Sequence, residues 1–140
     1  MSKGSILLVD DDWEAVNLLS QILYNEGYSI DVARQGLEAI ERAKQQKHFA
    51  AIIDYVMPYY QGDEIAKKIR AIDPEIHLFL LTGYRIILHP SVLRAFDYVL
   101  EKPLNLPELL RELEMFTSGA HEMYNEATAS REQPNSSRMS

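Results

Sequence analysis

Asp10, Asp11, Asp54, Thr82 and Lys102 are the residues of this chain whose types and placement could do chemistry together. Each comes at or just after the end of a short apolar run: Ile6-Leu7-Leu8-Val9, Ala51-Ile52-Ile53, Leu78-Phe79-Leu80-Leu81 and Tyr98-Val99-Leu100. Such runs read as buried strands. In a parallel sheet these strand ends share one edge, where open α/β sheets carry their chemistry. Three carboxylates brought together repel one another and raise one another's pKa. A hard divalent cation removes that conflict, and an oxygen donor set with retained waters suits Mg²⁺. Lys102 adds a point positive charge and Thr82 a hydroxyl donor. Together they could bind a phosphoryl group placed on Asp54, because carboxylates act as phosphoryl-accepting nucleophiles. The transfer itself needs mainly positioning and charge neutralisation. Taken singly, each residue has an ordinary reading: a capping run at Asp10-Asp11, a turn aspartate at Asp54, a strand-end hydroxyl at Thr82, a solvated lysine at Lys102. All of them at successive strand ends is the sharper signal.

The elements that must position these groups alternate along the chain. Ser5 to Asp10 reads as a strand, and Asp12 is an N-cap for a helix from Trp13 to about Asn25. Val16, Leu18, Leu19, Ile22 and Leu23 form its expected apolar face, and Gly27 ends it. Tyr28 to Ala33 is a second strand, and Gly36 opens a helix to about Lys47 with Leu37, Ile40 and Ala43 facing in. Phe49 to Asp54 is the third strand, ended by Pro58 and Gly62. Glu64 to Ala71 is a helix with Ile65, Ile69 and Ile72 on one side, broken by Asp73-Pro74. Ile76 to Thr82 is almost continuously apolar, as a strand buried on both faces would be. His89-Pro90 interrupts any long fourth helix and leaves a short one from Ser91 to Phe96. Tyr98 to Leu100 is the fifth strand, and Leu106, Leu109, Leu110, Leu113 and Phe116 mark a final amphipathic helix with Pro107 in its first turn. Five strand–helix units of this length imply a parallel sheet with helices on both faces and right-handed crossovers.

Composition sets the remaining bounds. The 140 residues suffice for one core, and 46% apolar with 25% charged residues is a globular balance. No apolar run reaches the length of a membrane span, and Met1-Ser2-Lys3-Gly4 leads straight into a strand without a signal peptide. The absence of cysteine excludes disulfides, thiolate metal sites and cysteine nucleophiles, and fits a cytoplasmic location. A net charge of −7 argues against direct nucleic-acid binding by this chain. Residues 3–118 read as one domain and 119–140, rich in Ser, Asn, Gln and Glu, as a polar flexible tail. The histidines His48, His77, His89 and His121 show no metal-ligand spacing and read as surface or packing residues. Trp13, beside the acidic run, is either a neighbour of the pocket that reports on Mg²⁺ or a surface-packed residue.

With LLVDDD, IIDYVMP, LLTG and EKP in place, the chain resembles a CheY-like receiver domain of two-component response regulators over roughly Lys3 to Phe116. The resemblance implies a flavodoxin-like, doubly wound sheet of strand order 2-1-3-4-5. By position it makes Asp54 the phosphoacceptor. Asp10 and Asp11 become the acidic pair that holds Mg²⁺, Asp11 directly and Asp10 through water, with the main-chain carbonyl of Val56 completing the protein ligands. Thr82 would bind a phosphoryl oxygen, Gly83 would leave room and an N–H for the phosphate, and Lys102 would pair with the phosphoryl group ahead of a cis bond to Pro103. The implied partners are a sensor histidine kinase or histidine phosphotransfer protein and a downstream protein target or output domain; a homodimer is allowed and no membrane is expected among them.

The sequence also departs from that pattern. The family usually carries an aromatic residue three positions before the lysine, and here that position is Val99, with Tyr98 one residue earlier. Either the fifth strand is shifted in register or the coupling between aromatic and threonine is altered. The Thr82–Lys102 interval is short, which points to a short or displaced fourth helix. Val56 and Tyr84 border the path expected for hydrolytic water, and an apolar Val56 predicts slow self-dephosphorylation, which a phosphoryl lifetime of only seconds would contradict. Two other readings compete. One is a degenerate receiver acting as a docking domain. The other is a haloacid-dehalogenase-type phosphohydrolase with Asp10 as nucleophile, against which stands the lack of an acidic pair on a further strand beyond Lys102.

Overall fold

The computed structural model describes residues 2–55, 61–83 and 88–118. It divides into two compact units, Met1–Leu104 and Asn105–Ser140. The first contains β1 (Ser5–Val9), α1 (Trp13–Asn25), β2 (Ser29–Ala33), α2 (Gly36–Gln45), β3 (Ala50–Asp54), α3 (Gly62–Ile72), β4 (His77–Thr82), α4 (Pro90–Leu93) and β5 (Tyr98–Glu101). The described strands form one sheet in the order β2-β1-β3-β4-β5, with every pairing parallel. This is the flavodoxin-like order implied by the resemblance.

Alternation along the strands separates the two faces. Leu7 and Val9, Ala51 and Ile53, and Leu78 and Leu80 join Ala39 and Ala43 of α2 and Ile65, Ala66 and Ile69 of α3 in one buried cluster. Ile6, Leu8, Ile52 and Phe79 fill the opposite face, where Val16 and Leu23 of α1 are buried. Both layers exclude water from the sheet, so β1, β3 and β4 are nearly all apolar.

Register brings the functional ends level. Val9 pairs with Ile53, so the residues that follow, Asp10 and Asp54, stand side by side at the sheet's edge. Asp54 pairs with Leu81, and Thr82 with Glu101, directly before Lys102. The helices begin as their capping chemistry requires. The Asp12 carboxylate accepts from the N–H groups of Glu14 and Ala15 at 3.2 and 3.3 Å. Gly27, at φ +107°, closes α1 in the left-handed conformation.

Two expected core positions are outside. Leu18 of α1 and Leu37 of α2 are 62% and 53% exposed. Val16 and Leu23 lie seven residues apart on one stripe, and Leu18 is rotated roughly 200° from Val16. Leu37 stands roughly 100° round from Gly36, outside the Gly36–Ala39–Ile40–Ala43 stripe. Counting apolar residues identified these helices correctly but included members of the wrong face. The fourth helix is a single turn, Pro90–Leu93, capped by His89, whose Nδ1 accepts from Ser91 N–H at 3.0 Å. The expected span to Phe96 is thus shortened, because the N–H groups of Ala95 and Phe96 donate to the carbonyls of Val92 and Leu93, three residues back and not four, and Asp97 N–H already donates to Leu78 of β4.

The second unit contains α5 (Leu106–Ser118), with Pro107 in its first turn and Asn105 Oδ1 accepting from Glu108 N–H at 3.0 Å. Leu109 and Leu113 are buried. Among the described residues no helix is long and apolar enough to cross a membrane. The expected tail, residues 119–140, lies outside the described residues, as does His121.

Candidate functional site: an acidic pocket at the strand ends

The carboxyl ends of β1, β3, β4 and β5 line an open cavity of about 460 Å³, walled by Asp10, Asp11, Asp12, Asp54, Tyr55, Thr82, Gly83 and Lys102. All the residues expected from the strand ends are therefore together. One carboxylate oxygen from each of Asp10, Asp11 and Asp54 falls within 4.8 Å of the others. Lys102 Nζ donates to Asp54 Oδ1 at 2.8 Å; the Asp54 side chain is 8% exposed and that of Lys102 48%. Thr82 is buried at the end of β4. The Lys102–Pro103 bond is cis, as expected. A Cβ built on Gly83 would meet nothing within 4 Å, so open space adjoins it.

The electrostatics follow from gathering acids at a half-closed edge. Asp10 has its pKa raised from an ordinary 3.8 to about 6, first by burial, with the charges of Asp54 and Asp11 adding to it. The Asp12 N–H, which donates to Asp10 Oδ1 at 3.0 Å, and Lys102 work in the opposite direction. Asp54 is also raised, first by burial and then by the charges of Asp11 and Asp12, against the hydrogen bond and charge of Lys102. Burial would lower the Lys102 ammonium, but its hydrogen bond to Asp54 and the surrounding acids outweigh that and raise it. Such a cluster has a strong affinity for positive charge: an ammonium already neutralises one oxygen of Asp54, and the remaining oxygens suit a hard cation.

Sequence reasoning underused two wall residues. Asp12 is the expected helix cap, but its N–H also donates to Asp10 Oδ1 and the residue lines the cavity. Tyr55 had no assigned role; its position next to Asp54 was the available signal. Val56 and Tyr84 lie outside the described residues. Trp13 is 56% exposed and lies under the Arg34 guanidinium, 4.7 Å from ring centroid to Cζ; it is not among the residues lining the cavity. The surface-packed reading of Trp13 is therefore the one that fits. His48 is a packing residue, buried with Nε2 2.9 Å from Asp31 Oδ2, and His77 meets Phe49 edge-on.

The register of β5 decides between the two readings of Tyr98 and Val99. Val99 pairs with Leu80 and packs on the same cluster, two residues before Thr82 on that face of the strands. Tyr98 pairs with Phe79, ring centroids 6.0 Å apart, on the opposite face. The side chain three positions before Lys102, on the face that Thr82 shares, is therefore the aliphatic Val99, and Tyr98 lies on the other face.

Known proteins agree with this picture. Residues 6–114 match the family model of the response regulator receiver domain, a span that crosses the division between the two units. The response regulator receiver protein CpdR of Brucella abortus is 32% identical over 111 residues, covering 78% of this chain and 92% of that protein. The transcriptional regulatory protein YkoG of Bacillus subtilis is 30% identical over 116 residues, but the chain spans only 50% of its length. Among solved structures, the response regulator TrrA of Thermotoga maritima, in complex with Mg²⁺-BeF, superposes with a TM-score of 0.75 at 32% identity, covering 83% of this chain and 99% of that one. By this match, and by the acidic cluster at its strand ends, the chain belongs to the response regulator receiver domain family.

Proposed function

We propose that residues 3–118 form a receiver that takes a phosphoryl group on Asp54 in a Mg²⁺-dependent reaction and passes the signal on by protein contact. The observation that carries this reading is the convergence of Asp10, Asp11 and Asp54 within 4.8 Å, with Lys102 2.8 Å from Asp54. The donor set fits the metal: all its atoms are carboxylate oxygens, and Asp10, whose pKa is raised first by burial and then by the charges of Asp54 and Asp11, is a group whose ionised form a cation would favour. Asp10, Asp11 and Asp54 would hold the ion, with the Val56 carbonyl added by the resemblance. When bound, Mg²⁺ supplies charge neutralisation for the carboxylates and the phosphoryl oxygens.

The residues divide the remaining work. An Asp54 oxygen attacks phosphorus; the P–N bond of a phosphohistidine breaks, and the histidine nitrogen leaves with the electron pair and takes a proton. Lys102 exchanges its contact with the Asp54 carboxylate for one with the phosphoryl group, and so offsets charge that grows during transfer. The Thr82 hydroxyl and the Gly83 N–H, at the adjoining strand end, donate to phosphoryl oxygens. The donor is a sensor histidine kinase or a histidine phosphotransfer protein, and the chain catalyses only its own phosphorylation and dephosphorylation. The protein would work in the cytoplasm.

The test is transfer of radiolabelled phosphate from a phosphorylated histidine phosphotransfer protein. Label on the parent, lost with EDTA and absent from Asp54→Asn, is the expected result. Label that persists in Asp54→Asn would overturn the assignment.

A further inference from the structure

The first residue of α3 lies unusually close to the end of β3. A Cβ built on Gly62 would stand 3.0 Å from Tyr55 Cα, 3.1 Å from the Asp54 carbonyl oxygen and 3.4 Å from Ile53 Cγ2. Gly62 does not have a positive φ, so close approach, not backbone conformation, is what calls for glycine here. The approach is fastened by the Gly62 N–H, which donates to the Tyr55 carbonyl at 2.9 Å.

Both partners in this contact are held from behind, so any movement is small and is taken up in backbone. On one side, Asp54 is paired with Leu81 in the sheet, and the Tyr55 N–H donates to the Leu81 carbonyl at 3.1 Å. On the other, Ile65, Ala66 and Ile69 seat α3 in the core, and the Gln61 N–H donates to Glu64 Oε1 at 3.1 Å in the helix's first turn. The two nearest atoms are backbone, so no side chain can swing aside to admit a methyl group. A Cβ at 62 must push the peptide that carries Asp54 by a few tenths of an ångström. That peptide fixes where the Asp54 carboxylate stands relative to Asp10, Asp11 and Lys102.

We infer that Gly62 is a positioning residue for Asp54: its missing side chain lets α3 clasp the end of β3 and sets the carboxylate in the acidic cluster. The inference rests on the reading of Asp54 as phosphoacceptor, and adds a residue that touches neither ion nor phosphoryl group. A displacement of this size at a reacting atom lowers the rate about tenfold, since a 1 Å misplacement can cost about a hundredfold.

The experiment compares the parent, Gly62→Ala, Glu64→Ala and Ile69→Val in the full chain. Mg²⁺ affinity is read by calorimetry, the initial rate of acetyl phosphate labelling by intact mass, and stability by thermal unfolding. Gly62→Ala should weaken Mg²⁺ binding by about threefold or more and slow labelling about tenfold. Glu64→Ala removes the Gln61 bond without adding bulk, and should slow labelling about two- to threefold even if the Gly62 variant does not fold. Ile69→Val, in the buried part of the same helix, should lower the melting temperature while leaving Mg²⁺ affinity and labelling rate at parental values. Parental Mg²⁺ affinity and rate in a folded Gly62→Ala would overturn the inference, as would parental values in Glu64→Ala if the Gly62 variant is unfolded. Equal losses in Ile69→Val would also overturn it by showing that they follow stability. A parent that binds Mg²⁺ but accepts no phosphoryl group would refute the phosphoacceptor reading alone, because the Mg²⁺ comparison still tests the clasp. A parent that binds neither would refute both.

Discussion

Replacing Asp10 by Asn should make the metal-free protein more stable at pH 8 and scarcely change it at pH 4. Asp10 ionises near pH 6 in the folded chain instead of near 3.8, chiefly because it is buried and then because Asp54 and Asp11 are close. A carboxyl raised in this way binds its proton more tightly folded than unfolded. Its contribution is therefore full below about pH 4 and declines as the pH rises through about 6. At about 1.4 kcal/mol per pH unit, the displacement amounts to about 3 kcal/mol of lost stability at pH 8. Solvent screening at an open pocket brings the expected gain from Asn to about 1–3 kcal/mol. Asn keeps an oxygen for the Asp12 N–H, 3.0 Å away in the parent, so little is lost in exchange. Urea unfolding in EDTA at pH 4 and pH 8 measures both ends of the range. Saturating Mg²⁺ should stabilise the parent more than the variant, narrowing or reversing the gap at pH 8. An Asn variant no more stable than the parent at pH 8, or one whose gain at pH 4 equals that at pH 8, would refute the picture of a buried Asp10 whose ionisation costs stability.

Other consequences follow from the same geometry. Lys102→Met removes the ammonium 2.8 Å from Asp54 and should slow acetyl phosphate labelling about a hundredfold while Mg²⁺ still binds; a parental rate would contradict the role given to Lys102. Because the Tyr98 ring lies tilted against Phe79 and Val99 shares the face of Thr82, beryllofluoride with Mg²⁺ should leave the solvent exposure of the Tyr98 ring unchanged in a fluorotyrosine NMR experiment. A large change in exposure would return Tyr98 to a switching role.

Much of the site was legible because strand ends announce themselves. An apolar run that stops on Asp10, Asp54 or Thr82 marks both the strand and the edge, and parallel topology then brings the ends together without further information. Which face of a helix is buried was less legible. Leu18 and Leu37 are as apolar as their buried neighbours, and only the packing of α1 and α2 on the sheet leaves them outside. The pairing of buried His48 with Asp31, and of Arg42 with Asp31 at 2.7 Å, joins residues remote in sequence through the fold and left no local pattern to read. The same holds for Gly62, which looked like a loop punctuator and proves to touch the backbone beside Asp54. Val99 is the converse case: the spacing from Lys102 posed the question, and the pairing of β5 with β4 answered it.

The central claim is that Asp54 accepts a phosphoryl group. Intact-protein mass after incubation with Mg²⁺ and acetyl phosphate tests it most directly, beside Asp54→Ala and an EDTA control. The account predicts one added phosphoryl group on the parent and none in either control. A parent that binds Mg²⁺ yet stays unmodified, or an Asp54→Ala protein that gains the same mass, would contradict it.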